Sequence, residues 1–136
     1  SYNANPASME AAIDVLTALS KKLQKSAILV VGDMAELGVE SLEFHRHIGL
    51  YAAKKGVQRL CAVGKYAGNI VSSYNQQQGS DSLKFNSKEA LAKYLLSDIC
   101  RNSLVLVKGS RSAAMDEVVD LLVVDKEGAF EGVNAC

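Results

Sequence analysis

The sequence lacks three features that mark whole classes of protein: closely spaced cysteines, an excess of one charge, and a long apolar run. Its three cysteines, Cys61, Cys100 and Cys136, are an odd number at wide spacings with no C-x-x-C pair. That pattern argues against a disulfide framework and against a zinc site. We therefore expect buried, reduced thiols, most firmly for Cys61 within the apolar stretch RLCAVG.

Neither sign of charge is in excess, because fifteen Lys and Arg residues balance fifteen Asp and Glu residues. The chain then has no overall field to attract nucleic acid or an anionic membrane surface, and any anion site must be local. The longest apolar run, AILVV at 27–31, is far shorter than the roughly 20 residues of a bilayer span, and no signal-peptide pattern opens the chain. We expect no nucleic acid partner, no membrane span and a cytoplasmic location.

What the sequence does contain is enough apolar residues, 49% of 136, for one domain with a buried core. Short apolar runs alternate with segments of helical period, which predicts an α/β fold with a mostly parallel sheet. In chain order we predict a helix over Pro6–Leu23, a strand ending at Gly32, a helix from Ser41 to near Gly56, a strand over Arg59–Gly64, a helix over Tyr66–Tyr74, a strand over Leu83–Phe85, a helix capped by Ser87 and reaching Ile99, a strand in SLVLVKGS, and a helix over Met115–Leu122. The tail VVDKEGAFEGVNAC is either a short edge strand or a loose end.

Three of the predicted strands end in glycine, at Gly32, Gly64 and Gly109. In an open parallel sheet, ligands bind beyond the carboxyl ends of the strands, where glycine lets the backbone approach a ligand and helix N-termini point their N–H groups outward. The polar residues at these three strand ends, together with the opening loop, form the candidate site.

The opening SYNANP combines a helix start with residues that a helix start does not need. Asn5 is a good N-cap and Pro6 a good first helical residue. Helix capping does not explain Tyr2 or Asn3, so we expect this loop to have a ligand-binding role.

Two further groups follow strand ends. Asp33 and Glu36 are paired carboxylates that could hold Mg²⁺ or a cationic amine, although an acid that complements a helix dipole is an equally good explanation. Lys108, Ser110 and Arg111 form a donor-rich cluster suited to a carboxylate or a phosphate. This cluster is not a P-loop, because the GxxxxGK[ST] spacing is absent.

The two histidines, His45 and His47, are two residues apart on a predicted helix. Residues at that spacing do not share a helix face, so a joint metal site is not expected. His45 alone is compatible with a hydrogen-bonded structural histidine. The segment GKYAGN that follows the second strand predicts a turn and nothing more.

The stretches SYNANPASM, VVGDMAELG, FHRHIG and LVKGSRSAAMDEVV occur in the same order in the C-terminal domain of the Mur ligases. The chain resembles that family from Ser1 to about Leu122, and YNANP with KGSRS is the specific pair of motifs. The resemblance implies a Rossmann-like three-layer sandwich over residues 1–136, with the tail from about 125 unassigned. It also implies an N-terminal UDP-binding domain and a central ATPase domain that this chain does not contain.

The resemblance further implies an ATP-dependent ligase of peptidoglycan synthesis, which adds D-Ala-D-Ala to UDP-MurNAc-tripeptide through an acyl phosphate. ATP and Mg²⁺ would be the cofactors, with the metal ligands on the central domain, and this domain would close on that central domain. Tyr2, Asn3 and Asn5 match the family's nucleotide-side loop and are expected to approach ATP. The isolated domain is expected to fold but not to catalyse.

On the substrate side, the resemblance places Lys108, Ser110 and Arg111 where the family receives the incoming substrate, here the D-Ala-D-Ala carboxylate. Asp33 is a weaker candidate for the dipeptide amine, and His45 matches a family position whose role stays open. A different interpretation also stays open, in which a free-standing flavodoxin-like or phosphosugar-binding module uses the same strand-end residues without ATP chemistry.

Overall fold

A computed structural model of the chain describes residues 6–35, 37–97, 100–109 and 113–116, and the backbone of 131–134. Its elements follow one another as helices and strands in alternation. They are α1 (Pro6–Leu23), β1 (Ser26–Val31), a 3₁₀ turn (Gly38–Glu40), α2 (Ser41–Lys54), β2 (Arg59–Val63), α3 (Ala67–Gln76), β3 (Ser82–Phe85), α4 (Lys88–Leu95), β4 (Ser103–Lys108) and β5 (Glu131–Asn134).

The five strands form one sheet in the order β3-β2-β1-β4-β5, and every neighbouring pair is parallel. The predicted α/β class with a mostly parallel sheet is confirmed. In the tail, the edge-strand alternative is correct, because Glu131–Asn134 pairs with β4. The predicted helix over Met115–Leu122 lies beyond the described residues from 117 onward.

Both faces of the sheet are covered, which confirms the three-layer sandwich. Alternate residues of β1 point to opposite faces, so Leu29 packs in the core beneath α1, α2 and α3, while Ile28 packs in the core beneath α4. β1 and β4 are therefore apolar along nearly their whole length, as expected for central parallel strands.

The local signals that start and stop helices also behave as predicted. The Ser87 hydroxyl accepts a hydrogen bond from the backbone N–H of Ala90 at 3.0 Å, which is an N-cap for α4. α4 ends at Leu95 with Leu96 as its C-cap, and Ser97 is already outside the helix, so the prediction that this helix reaches Ile99 is wrong. Gly56, with a φ of +86°, follows the end of α2.

The cysteine prediction holds for the two thiols that the structure describes. Cys61 and Cys100 are free and buried, and burial raises the pKa of the Cys61 thiol to about 12. Such a thiol stays protonated at neutral pH and is chemically inert. Cys136 lies outside the described residues.

Candidate functional site

The strand order reverses between β1 and β4, because the chain proceeds from β1 to β2 and β3 in one direction and places β4 and β5 on the other side. Ligands of open α/β sheets bind in the crevice outside the carboxyl ends of the strands at such a switch point. Val31 and Lys108 are register partners there, and the N–H of Gly32 donates to the carbonyl oxygen of Lys108 at 2.8 Å. The segments that follow β1 and β4 therefore leave the sheet side by side.

Of the residues predicted for the site, Asp33, His45 and Lys108 lie in the described part of the chain. Lys108 is the last residue of β4 and is only 6% exposed. The remaining predicted residues lie outside the described residues; these are Tyr2, Asn3, Asn5, Glu36, Ser110 and Arg111.

Asp33 uses its carboxylate to hold the turn after the neighbouring strand. Its two oxygens accept hydrogen bonds from the backbone N–H groups of Lys65 at 2.8 Å and of Tyr66 at 3.0 Å, just ahead of α3. These N–H groups belong to a helix start, where a negative charge is stabilising. The helix-dipole explanation therefore describes the contact, but the helix concerned is α3 and not the one that follows Asp33 in sequence.

Gly64, which precedes this turn, is required to be glycine by its backbone conformation and by its neighbours. Gly64 has a φ of +116°, and a Cβ built on it would lie 2.7 Å from a carboxylate oxygen of Asp33. A side chain there would be strained by its backbone conformation and would displace the carboxylate. Glycine at this strand end therefore leaves room for the carboxylate of Asp33, which is a contact within the protein.

His45 is fully buried and both of its ring nitrogens are used. Nδ1–H donates to the carbonyl oxygen of Ser41 at 2.6 Å, and Nε2 accepts from the backbone N–H of Met34 at 3.0 Å. Burial lowers the pKa of His45 below its usual 6.5, so the ring is neutral at pH 7. The contacts of His45 are therefore those of a hydrogen-bonded structural histidine.

Three segments are locked together by these contacts: the loop after β1, the start of α2 and the turn after β2. The ring of Tyr66 stacks on that of His45 with centroids 4.1 Å apart and an interplanar angle of 14°. The sequence analysis missed this role of GKYAGN, in which exposed Lys65 also places its ammonium 5.4 Å from the centre of the Tyr66 ring. The sequence feature that could have indicated this role is a lysine and a tyrosine, Lys65 and Tyr66, directly after a strand-ending glycine.

Gly32 and Gly109 have a packing reason to be glycine that their motifs do not indicate, and the approach of a ligand to their backbone stays a prediction. A Cβ on Gly32 would lie 2.4 Å from the sulfur of Met115, and one on Gly109 would lie 2.3 Å from its Cγ. Met115 is 4% exposed and packs over both positions. These glycines leave room for a buried methionine, since close-packed interiors tolerate no such overlap.

The other histidine, His47, forms a contact of its own on the surface, where Nε2 lies 2.6 Å from a carboxylate oxygen of Glu10. His45 and His47 thus point to different surroundings, as their spacing predicts. Among the described residues, no group of three or more His, Cys, Asp or Glu side chains could hold a metal ion. Within the same residues, no helix is long and apolar enough to cross a membrane.

Comparison with known proteins adds the family. The sequence matches the family model described as "Mur ligase, glutamate ligase domain" over residues 1–111. It is 42% identical over 124 residues to the UDP-N-acetylmuramoyl-tripeptide--D-alanyl-D-alanine ligase of Escherichia coli K12, an alignment that covers 90% of this chain and 25% of that protein. The chain thus spans about a quarter of the length of the curated relatives it matches.

Solved structures give the same result at the level of the fold. MurF from Acinetobacter baumannii superposes with a TM-score of 0.74 and 27% identity, covering 90% of this chain and 27% of that one. MurF ligase from Thermotoga maritima in complex with ADP has a TM-score of 0.65 and 25% identity, covering 89% of this chain and 26% of that one.

Proposed function

Because this chain belongs to the Mur ligase family, we propose that it acts as the C-terminal domain of an ATP-dependent ligase that adds D-Ala-D-Ala to UDP-MurNAc-tripeptide. The support is the family match over residues 1–111 and the shared name of relatives at 42% and 34% identity. In this proposal an N-terminal UDP-binding domain and a central ATPase domain complete a cytoplasmic enzyme of peptidoglycan synthesis. The comparisons do not favour the alternative of a free-standing flavodoxin-like or phosphosugar-binding module.

The observation that carries the proposal is that β1 and β4 end side by side at the point where the strand order of the sheet reverses. Lys108 ends β4 at this point, and Ser110 and Arg111 follow it within three residues of sequence. Cationic and hydroxyl donors are suited to a carboxylate, and arginine can bind it with two parallel hydrogen bonds. We assign the carboxylate of D-Ala-D-Ala to these three residues.

The dipeptide amine is assigned, more weakly, to Asp33. Its carboxylate already accepts two backbone N–H bonds, and a carboxylate has about four lone-pair sites. An amine could therefore share an oxygen that is held in place by the turn before α3. In this arrangement Lys65 and Tyr66 orient Asp33.

ATP would supply the phosphoryl group that activates the tripeptide carboxylate toward attack by the dipeptide amine. Tyr2, Asn3 and Asn5 are proposed to approach the nucleotide, and the MurF ligase of Thermotoga maritima with this fold was solved with ADP. We propose that Mg²⁺ is held by the central domain. The part of this domain is to orient the dipeptide and, by closing on the central domain, to exclude water from the activated carboxylate.

The test is Arg111→Ala in the full-length enzyme, with steady-state kinetics for each substrate. We expect the KM for D-Ala-D-Ala to rise at least about 10-fold while the KM for ATP changes little, because only the dipeptide loses a charged contact. The matched control is Arg101→Ala, an exposed arginine ahead of β4 at the opposite edge of the sheet. An unchanged dipeptide KM in Arg111→Ala would remove the assignment.

A further inference from the structure

Charge is separated along the two helices that lie side by side on one face of the sheet. α1 and α2 pack against each other and run in the same direction, since each leads into a strand of the parallel sheet. Acids line one cleft near the starts of both helices: Glu10 of α1, Glu43 of α2, and Glu40 in the turn just before α2. Their last turns carry lysines: Lys21 and Lys22 on α1, Lys54 on α2, and Lys55 directly after it.

Three of these lysines line a second cleft, which lies at the amino edge of the sheet. This cleft has a volume of about 730 Å³ and is lined by Asp14, Thr17, Ala18, Lys21, Lys54 and Lys55. Asp14 is its one carboxylate; it accepts a hydrogen bond from the Tyr51 hydroxyl at 2.7 Å and lies 3.5 Å from the ammonium of Lys55. Lys21 and Lys54 are exposed, and no carboxylate of the described residues pairs with either.

We propose that this lysine cleft docks the domain on the anionic headgroup surface of a phospholipid bilayer. Three lysines and no arginine line it, and a lysine is a compact charge on a flexible stem that suits a diffuse anionic surface. Leu23, 46% exposed and next to Lys22, supplies an apolar side chain at the same end of α1. Basic residues combined with an exposed apolar side chain are typical of peripheral membrane contacts.

The zero net charge of the chain does not oppose such docking. Glu10 and Lys21 are eleven residues apart on α1, which places them about 16 Å apart along the helix axis. The Debye length in physiological salt is about 8 Å, so the acidic end is screened from a surface that the basic end touches. The docked domain would present the carboxyl edge of its sheet away from the bilayer, where the candidate site stays accessible.

The experiment is cosedimentation of the chain with phosphatidylcholine vesicles that contain or lack phosphatidylglycerol. We expect binding only with phosphatidylglycerol and a loss of binding as salt is raised. Lys21→Gln/Lys54→Gln should lower the partition coefficient about 10-fold or more, since each lysine near an anionic surface contributes separately. These two lysines are chosen because Lys55 is paired with Asp14.

The matched control is Lys84→Gln/Lys93→Gln, which removes the same charge from two exposed lysines on β3 and α4. It should bind as the unaltered chain does, and circular dichroism should show that both variants are folded. The proposal is overturned by equal binding to both kinds of vesicle, by an equal loss in the control, or by no binding. It is also overturned if an acidic peptide or single-stranded DNA binds at the cleft while the vesicles do not.

Discussion

Asp33 and Lys65 are 32 residues apart in the chain, and the carboxylate of the first accepts a hydrogen bond from the backbone N–H of the second at 2.8 Å. The same carboxylate accepts from Tyr66, whose ring lies on His45. This contact joins the loops after β1 and β2 at the carboxyl edge of the sheet. The stability of that edge, and with it the shape of the candidate site, should depend on a few identifiable atoms.

Asp33→Asn should destabilise the domain by about 1–3 kcal/mol. An amide has one oxygen to offer two N–H donors, and its NH₂ group would face one of them. The measurement is the free energy of unfolding in urea. Glu89→Gln is the control, an exposed acid in the first turn of α4; an equal effect in both variants would show that Asp33 acts only through general helix-dipole electrostatics.

Acid should destabilise the protein through His45. Because burial lowers the native pKa of this histidine, the unfolded chain binds a proton below about pH 6.5 that the native protein does not bind. The free energy of unfolding should therefore fall as the pH falls through about 6.5 toward the lowered native pKa. His45→Gln should flatten that slope, and urea unfolding at a series of pH values measures the slope in both proteins.

Gly64→Ala should cost more stability than Gly56→Ala. Both glycines have positive φ, +116° and +86°, but a Cβ at Gly56 meets no atom within 4 Å, whereas one at Gly64 meets the carboxylate of Asp33. We expect a difference of at least about 1 kcal/mol in the free energy of unfolding. Adding Asp33→Ala to each variant should shrink the difference, and equal costs from the start would contradict the close contact.

Gly32→Ala should destabilise the domain by about 1–3 kcal/mol, because the new methyl group would overlap the sulfur of Met115. In the double variant with Met115→Ala, the cost should be smaller than the sum of the two single costs. Gly68→Ala in α3 is the control, since the nearest side-chain atoms to a Cβ there, those of Lys84, are 4.0 Å away and alanine favours a helix. Additivity within about 0.5 kcal/mol would show that Gly32 and Met115 do not share space.

Much of the fold follows from signals that lie within a few residues of each other. The apolar spacing of α1 and the Ser87 cap of α4 each depend on neighbours three or four positions away, and the structure confirms both. The alternation of helices with apolar strands is equally local. The edge strand at Glu131–Asn134 was left open because four residues without a clear alternation do not distinguish a strand from a loose tail.

Contacts within the site depend on residues that are distant in sequence. The carboxylate of Asp33 and the ring of His45 were recognised as candidates, yet their partners could not be named without the order of the strands. The packing role of Gly32 and Gly109 could not be predicted, because nothing in their own motifs shows that Met115 packs over them. The lysine cleft has the same origin, since Lys21 and Lys54 meet only when α1 lies alongside α2.

The sequence by itself determined the types of α1 to α4 and β1 to β4 and the parallel α/β class, because hydrophobic period and capping are short-range properties. Its motifs determined the family. The tertiary structure decided which strands are neighbours and therefore where the sheet reverses its order. It also decided that the Asp33 carboxylate and both nitrogens of His45 are occupied by backbone groups, because burying a polar group is favourable only when a partner is brought to it.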